Sequence, residues 1–139
     1  MEITANAIQT VAAGANVIFT DTVVCGNCAI MHREGSGLVT LRGLTNQCRA
    51  RFRVSFGGNI ALPTGGTVGP ISLAIAVNGE PVATTTMIST PAAVEEFNNV
   101  FSAIFLDIPK GCCSQISVRN TSDQPIDVQN ANLIVERVA

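Results

Sequence analysis

The sequence predicts a single all-β domain, a sandwich or a barrel. Three observations point there. Short runs of β-branched and apolar residues recur along the chain, separated by Gly, Pro, Asn, Ser and Thr. No segment sustains the 3.6-residue apolar period of an amphipathic helix. With 139 residues the chain can build one core and is too short for two.

Taken in order, residues 1–14, in which four Ala stand with Asn6 and Gly14, are expected to form an N-terminal arm that pairs only in an assembly. Residues 15–139 then make the domain. Its strands are expected at Val17–Val24, Ala29–Arg33, Leu38–Arg42, Cys48–Phe56, Ile71–Val77, Val82–Ile88, Val100–Ile108, Gln115–Arg119 and Ile126–Val138. Asn78-Gly79 separates two of these runs and is the pair that most readily takes positive φ at both positions of a tight hairpin. Gly57-Gly58 predicts a bulge or bend. Pro63–Pro70 reads as a loop, and Asn120-Thr-Ser-Asp-Gln124 as a turn. Around Pro91–Glu96 a helical turn capped by Thr90 and a plain loop fit equally.

Composition narrows the function classes. The chain is 47% hydrophobic and 13% charged, against about 25% charged in a typical soluble domain, which excludes intrinsic disorder. A net charge of -2 offers no electrostatic basis for nucleic-acid binding. The longest apolar stretches, Ile71–Val77 and Val100–Ile108, are strand-sized, whereas a membrane-spanning helix takes about 20 residues. The start, Met-Glu-Ile-Thr-Ala-Asn, has neither the basic beginning nor the apolar run of a signal peptide. One lysine, seven arginines and no Trp or Tyr leave few groups to cover the surface, so part of it is expected to lie against other subunits.

Several segments together resemble a known family. They are Phe52-Arg-Val-Ser-Phe56, Ile71-Ser-Leu-Ala-Ile-Ala-Val-Asn-Gly79, Ile116-Ser-Val-Arg-Asn120 with its polar turn, and the alternating end Ala131-Asn-Leu-Ile-Val-Glu-Arg-Val138. Their order resembles the C1q/TNF-like jelly roll in its short bacterial and phage form, over about residues 15–139. The resemblance implies one antiparallel jelly-roll β-sandwich of nine to ten strands, packed as a homotrimer through an apolar face. Phe52 and Phe56, and likewise Phe101 and Phe105, share a strand face and are expected to fill the core or the trimer contact.

Candidate chemistry is sparse. Cys25, Cys28, Cys48, Cys112 and Cys113 are the conspicuous set. Cys25-Gly-Asn-Cys28, followed by His32, has the spacing of half a zinc site, but no second Cys-x-x-Cys completes four ligands. Five is an odd number for disulfides, and the favoured reading is free cysteines packed as small hydrophobes. His32 is the single histidine, and Ser36 in Gly35-Ser-Gly37 is not a Gly-x-Ser-x-Gly nucleophile elbow. Asp21, Glu95, Glu96, Asp107, Asp123 and Asp127 are scattered and form no calcium loop.

Arg49, Arg51 and Arg53 alternate with Ala50, Phe52 and Val54, so the arginines share one sheet face. They are expected to pair with carboxylates such as Asp107 or Glu136, the alternative being an anion or an acidic neighbouring subunit. No catalytic, cofactor or metal residue is assigned, and the expectation is not an enzyme. It is a structural component of a phage or prophage virion, a capsid decoration or a tail or fibre part, with itself and other virion proteins as partners. The alternative is a trimeric binding module presenting Pro63–Pro70 and Thr90–Asn98 to a protein or glycan receptor.

Overall fold

The computed structural model describes residues 1–139. Alternating apolar residues place one face of each long strand inward, and two antiparallel sheets close over them. The strands are β1 (Glu2–Ala5), β2 (Gln9–Val11), β3 (Asp21–Val24), β4 (Ile30–His32), β5 (Val39–Arg42), β6 (Arg49–Ala61), β7 (Ile71–Val77), β8 (Glu80–Pro81), β9 (Met87–Ser89), β10 (Asn98–Pro109), β11 (Cys113–Asn120) and β12 (Ile126–Arg137). The first sheet has the order β10-β6-β12-β1-β3, with β2 also on β12. The second has the order β4-β5-β11-β7-β8, with β9 also on β7. The chain crosses between sheets at β3–β4, β5–β6, β6–β7, β9–β10, β10–β11 and β11–β12, which is jelly-roll connectivity.

A core of 28 buried residues lies between the sheets, with Phe19, Phe52 and Phe56 its largest side chains. Phe19 meets Phe56 edge-on, with ring centroids 6.3 Å apart. Asn120, fully buried, donates through Nδ2 to the carbonyls of Val11, Ala12 and Gln124 at 3.0, 3.2 and 3.0 Å. One amide thus ties the N-terminal segment to the β11–β12 turn.

Several expectations are corrected. Residues 1–14 are not an arm awaiting an assembly. β1 is hydrogen-bonded between β12 and β3, and Ile3, Ala5 and Val11 are buried in the core. The bulge expected at Gly57-Gly58 is present in the pairing, but its extra residue belongs to the partner strand, and β6 itself runs through to Ala61. Gly58 faces inward, where a Cβ would lie 3.3 Å from Phe56 Cζ and 3.4 Å from Ala131 Cα. The irregularity falls on the partner strand, where β12 shifts register between Gln129 and Asn132 around Asn130 at φ 55°.

The expected strand Val82–Ile88 is not continuous: a 3-10 turn at Ala83–Thr85 separates β8, which ends at Pro81, from β9, which begins at Met87. Buried Thr85 explains the break: its hydroxyl accepts from the Ile75 amide at 3.0 Å and donates to the Val82 carbonyl at 2.7 Å. That bond to the edge of β7 takes a ladder position a continuous strand would use. Residues 91–96 form a loop, with Glu95 at φ 59°. Asn78-Gly79 makes its turn at φ 52° and 85°.

Candidate functional site

The two outer sheet faces differ in chemistry. That of the second sheet mixes Ser72, Ser117, Arg119, Thr40 and Arg42 with Ala74 and Ala76, and exposes Met31 and Ile88 towards its edges, with no aromatic ring. The first sheet instead exposes Phe101 and Phe105 on β10, 64% and 63% accessible, with Ala103 between them. Register fixes their neighbours: Phe101 lies opposite Gly57, Ala103 opposite Ser55, and Ser55 in turn opposite Ile134 of β12. Gly57 and Ser55 form a low floor between the phenylalanine ridge and Ile134. A Cβ added at Gly57 would meet Phe101 Cδ2 at 3.6 Å.

The sequence of β10 accounts for this face. Val100, Ile104, Leu106 and Ile108 turn inward, while Phe101, Ala103 and Phe105 turn outward, so both faces of one strand are apolar. Such a run is the pattern of a strand covered on both sides.

The arginine ladder borders this apolar face. Arg51 donates Nε to Asp107 Oδ1 at 2.8 Å and Nη2 to Asp107 Oδ2 at 3.1 Å. Arg49 Nε lies 3.1 Å from Asp107 Oδ2, and Arg53 pairs with Glu136 at 3.6 Å. The expected pairing with Asp107 and Glu136 is the one observed. The hydrogen bond from Arg51 holds the Asp107 carboxyl below its ordinary range against slight desolvation, and charge from Arg51 and Arg49 adds to it. The same bond raises Arg51.

The remaining candidates do not converge. His32 Nε2 bonds the Ser36 carbonyl at 2.9 Å, whereas the Ser36 hydroxyl accepts from the Leu38 amide at 3.0 Å. The ring packs edge-on against Phe19, a structural placement. Asp127 accepts from Thr10 Oγ1 at 2.7 Å, and Glu95 accepts from Thr64 Oγ1. All five cysteines are free, as one branch of the expectation had it, and all five are exposed, which corrects the other branch, packing in the core.

Loops 63–70 and 90–98, distant in sequence, meet at one end of the sandwich. The Glu95 amide donates to the Leu62 carbonyl at 2.8 Å. Gln124 clamps the other side, accepting from the Thr67 amide at 3.1 Å and donating to the Thr67 carbonyl at 2.9 Å. A shallow recess of about 400 Å³ lies there, lined by Thr67, Val68, Gly69, Pro70, Asp123 and Gln124.

Comparison with solved structures identifies the architecture. The globular domain of zebrafish complement 1qA matches 96% of this chain over 93% of its own, with TM-score 0.63 and 13% identity. Eiger TNF from S. frugiperda matches 100% over 92%, with TM-score 0.69 and 12% identity. The chain has a C1q/TNF-like jelly-roll fold. Murine APRIL is also similar, with TM-score 0.63 and 9% identity over 97% of each chain. No family model and no curated protein matches the sequence. The phenylalanine face of this C1q/TNF-like domain is therefore characterised by its own residues.

Proposed function

We propose that this is a non-enzymatic, self-associating structural protein, a homotrimer whose subunits meet through the outer face of the β10-β6-β12-β1-β3 sheet. The observation that carries the reading is the exposure of Phe101 and Phe105, the first opposite Gly57 beside the floor that Ser55 continues and the second opposite Arg53. A flat strand face with two open aromatic rings beside small residues gains most by covering a matching surface. A second copy of the same face is that surface. The low charge content of the chain and the C1q/TNF-like fold both support self-association.

The proposed setting is a phage or prophage virion, as a capsid decoration or a part of a tail or fibre. It rests on the resemblance to the short phage-type jelly rolls. Light scattering coupled to size exclusion tests the trimer. A mass of three subunits is expected, and a monomer at micromolar concentration overturns it. Proteomic detection of the chain in purified particles tests the setting, and its absence from them removes it.

A second reading, a trimeric binding module, is favoured by one observation. Loop 63–70 is braced by loop 90–98 on one side and by Gln124 on the other, and the recess lies between Thr67–Pro70 and Asp123-Gln124. Saturable binding of a glycan or protein at that end, lost on substitution of Val68 or Asp123, distinguishes it.

A further inference from the structure

Cysteine is ordinarily among the most buried of residues, yet all five here are exposed. Folding also gathers them at one end. Cys25 follows the C-terminal end of β3, Cys28 precedes β4, Cys48 precedes β6, Cys112 stands between β10 and β11, and Cys113 is the first residue of β11. In the antiparallel order of both sheets these strand ends share one pole, opposite the clamped loops.

Backbone bonds join the segments into one platform. The Gly43 amide donates to the Cys112 carbonyl at 2.8 Å, and the Gly111 amide to the Gly43 carbonyl at 3.0 Å. The Lys110 amide donates to the Cys48 carbonyl at 3.0 Å, and the Arg42 amide to the Ala29 carbonyl, beside Cys28, at 2.8 Å. The Cys25–Cys28 loop rests on Met1, whose Cβ would be 3.1 Å from a Cβ at Gly26.

We propose that this end is a disulfide-forming surface that joins one copy of the chain covalently to another. Two features direct the thiols outward. An odd number leaves at least one thiol unpaired however the others combine within the chain. Cys112 and Cys113 are neighbours, with Cα atoms about 3.8 Å apart, inside the 4.4 Å at which relaxed disulfides begin. Nor is any group of three or more His, Cys, Asp or Glu residues placed to hold a metal within the chain.

The oxidant is a low-molecular-weight disulfide such as oxidised glutathione. A protein thiolate attacks one of its sulfurs, forming a mixed disulfide and releasing one small thiolate. A thiolate of the second copy then attacks the protein sulfur of that bond and displaces the other small thiolate. Two protein thiols are oxidised, one small disulfide is reduced to two thiols, and the two protons pass to those thiols. One reactive thiol per chain stops at a covalent dimer, whereas two or more extend the product into chains.

The inference does not require the trimer, because covalent products are read in denaturant. The full chain is reduced, freed of reductant and held in a glutathione redox buffer. Non-reducing denaturing electrophoresis and intact mass are then recorded. The expected result is a ladder from dimer upward that dithiothreitol collapses and prior alkylation with iodoacetamide prevents. A variant retaining only Cys112, the other four changed to Ser, is expected to stop at the dimer. Monomers carrying only internal disulfides or glutathione adducts overturn the proposal. Association that needs added zinc and leaves no covalent product overturns it as well.

Discussion

Asp107 and Arg51 face each other across β10 and β6 as a two-pronged pair, with Nε and Nη2 of the arginine on separate carboxylate oxygens at 2.8 and 3.1 Å. Arg49 shares the same carboxylate. One acidic group thus separates two guanidinium groups that would otherwise repel on a common strand face. Because Arg51 hydrogen-bonds the ionised form, Asp107 is expected to titrate below an ordinary aspartate. The folded value is depressed, so the stabilising linkage is present above the unfolded carboxyl value of about 3.9 and is lost as pH falls through the folded value. Carbon-detected NMR titration of the Asp107 carboxyl checks this, and Arg51→Gln is expected to move its midpoint upward. The pair is open to solvent, so 0.5 M salt is expected to shrink the shift.

The two phenylalanine pairs separate stability from assembly. Phe52 and Phe56 are fully buried, and truncating either to Ala is expected to cost about 3–5 kcal/mol in denaturant unfolding. Phe101→Ser and Phe105→Ser, on the outer face, are expected to leave monomer unfolding nearly unchanged. Their effect falls on self-association, weakened about thirtyfold or more if each contributes the roughly 2 kcal/mol of an interface hot spot. Sedimentation equilibrium on the same samples measures both. A trimer that survives the double substitution unchanged would place the contact elsewhere.

The sequence carried this distinction only in part. Period-two alternation made Arg49, Arg51 and Arg53 legible as one face, and Asp107 and Glu136 legible as partners. In β10 apolar residues stand at both parities, and the one charged residue, Asp107, is the signal that places Phe101, Ala103 and Phe105 on the arginine-bearing outer face. β1 was less legible. Its inward signal is Ile3 and Ala5, two residues in a short polar context, and its partner Leu133 lies at the far end of the chain. The glycines at 57 and 58 marked a bulge, but sequence could not say that its extra residue lies on β12. Gly58 serves close approach to Phe56 and Ala131, whereas a Cβ at Gly57 would meet Phe101 at ordinary contact distance. The cysteines were read as core because composition predicts burial for that residue type, while strand ends decided otherwise.

Asn120 offers a test of how firmly the N-terminal residues belong to the fold. Its amide nitrogen serves three carbonyls and its oxygen accepts from the Ser122 amide at 3.0 Å, all with the side chain buried. Asn120→Ala strands those carbonyls and is expected to cost about 1–3 kcal/mol. Asn120→Asp is expected to cost more, since it turns a second oxygen toward three acceptors. Hydrogen exchange checks the location of the damage, with protection lost first in β2 and the β11–β12 turn.

Of the twelve glycines, Gly43 leaves the least room for a side chain, and it supports the thiol-bearing end. A Cβ there would fall 2.1 Å from the Pro109 carbonyl oxygen and 3.3 Å from that of Cys112. Both neighbours are backbone, so no side chain can swing aside, and the β5–β6 and β10–β11 connections must part. Gly43→Ala is expected to destabilise the domain by about 1–3 kcal/mol, the range for overpacking a fitted site. Gly79→Ala, at φ 85° with open space around it, carries only the backbone strain of its turn. The two variants therefore differ in where they act. Thermal unfolding with amide hydrogen exchange at Lys110 and Gly111, which bond the Cys48 and Gly43 carbonyls, checks it: faster exchange in Gly43→Ala alone is the expected outcome, and equal rates would mean the two connections do not rely on that contact.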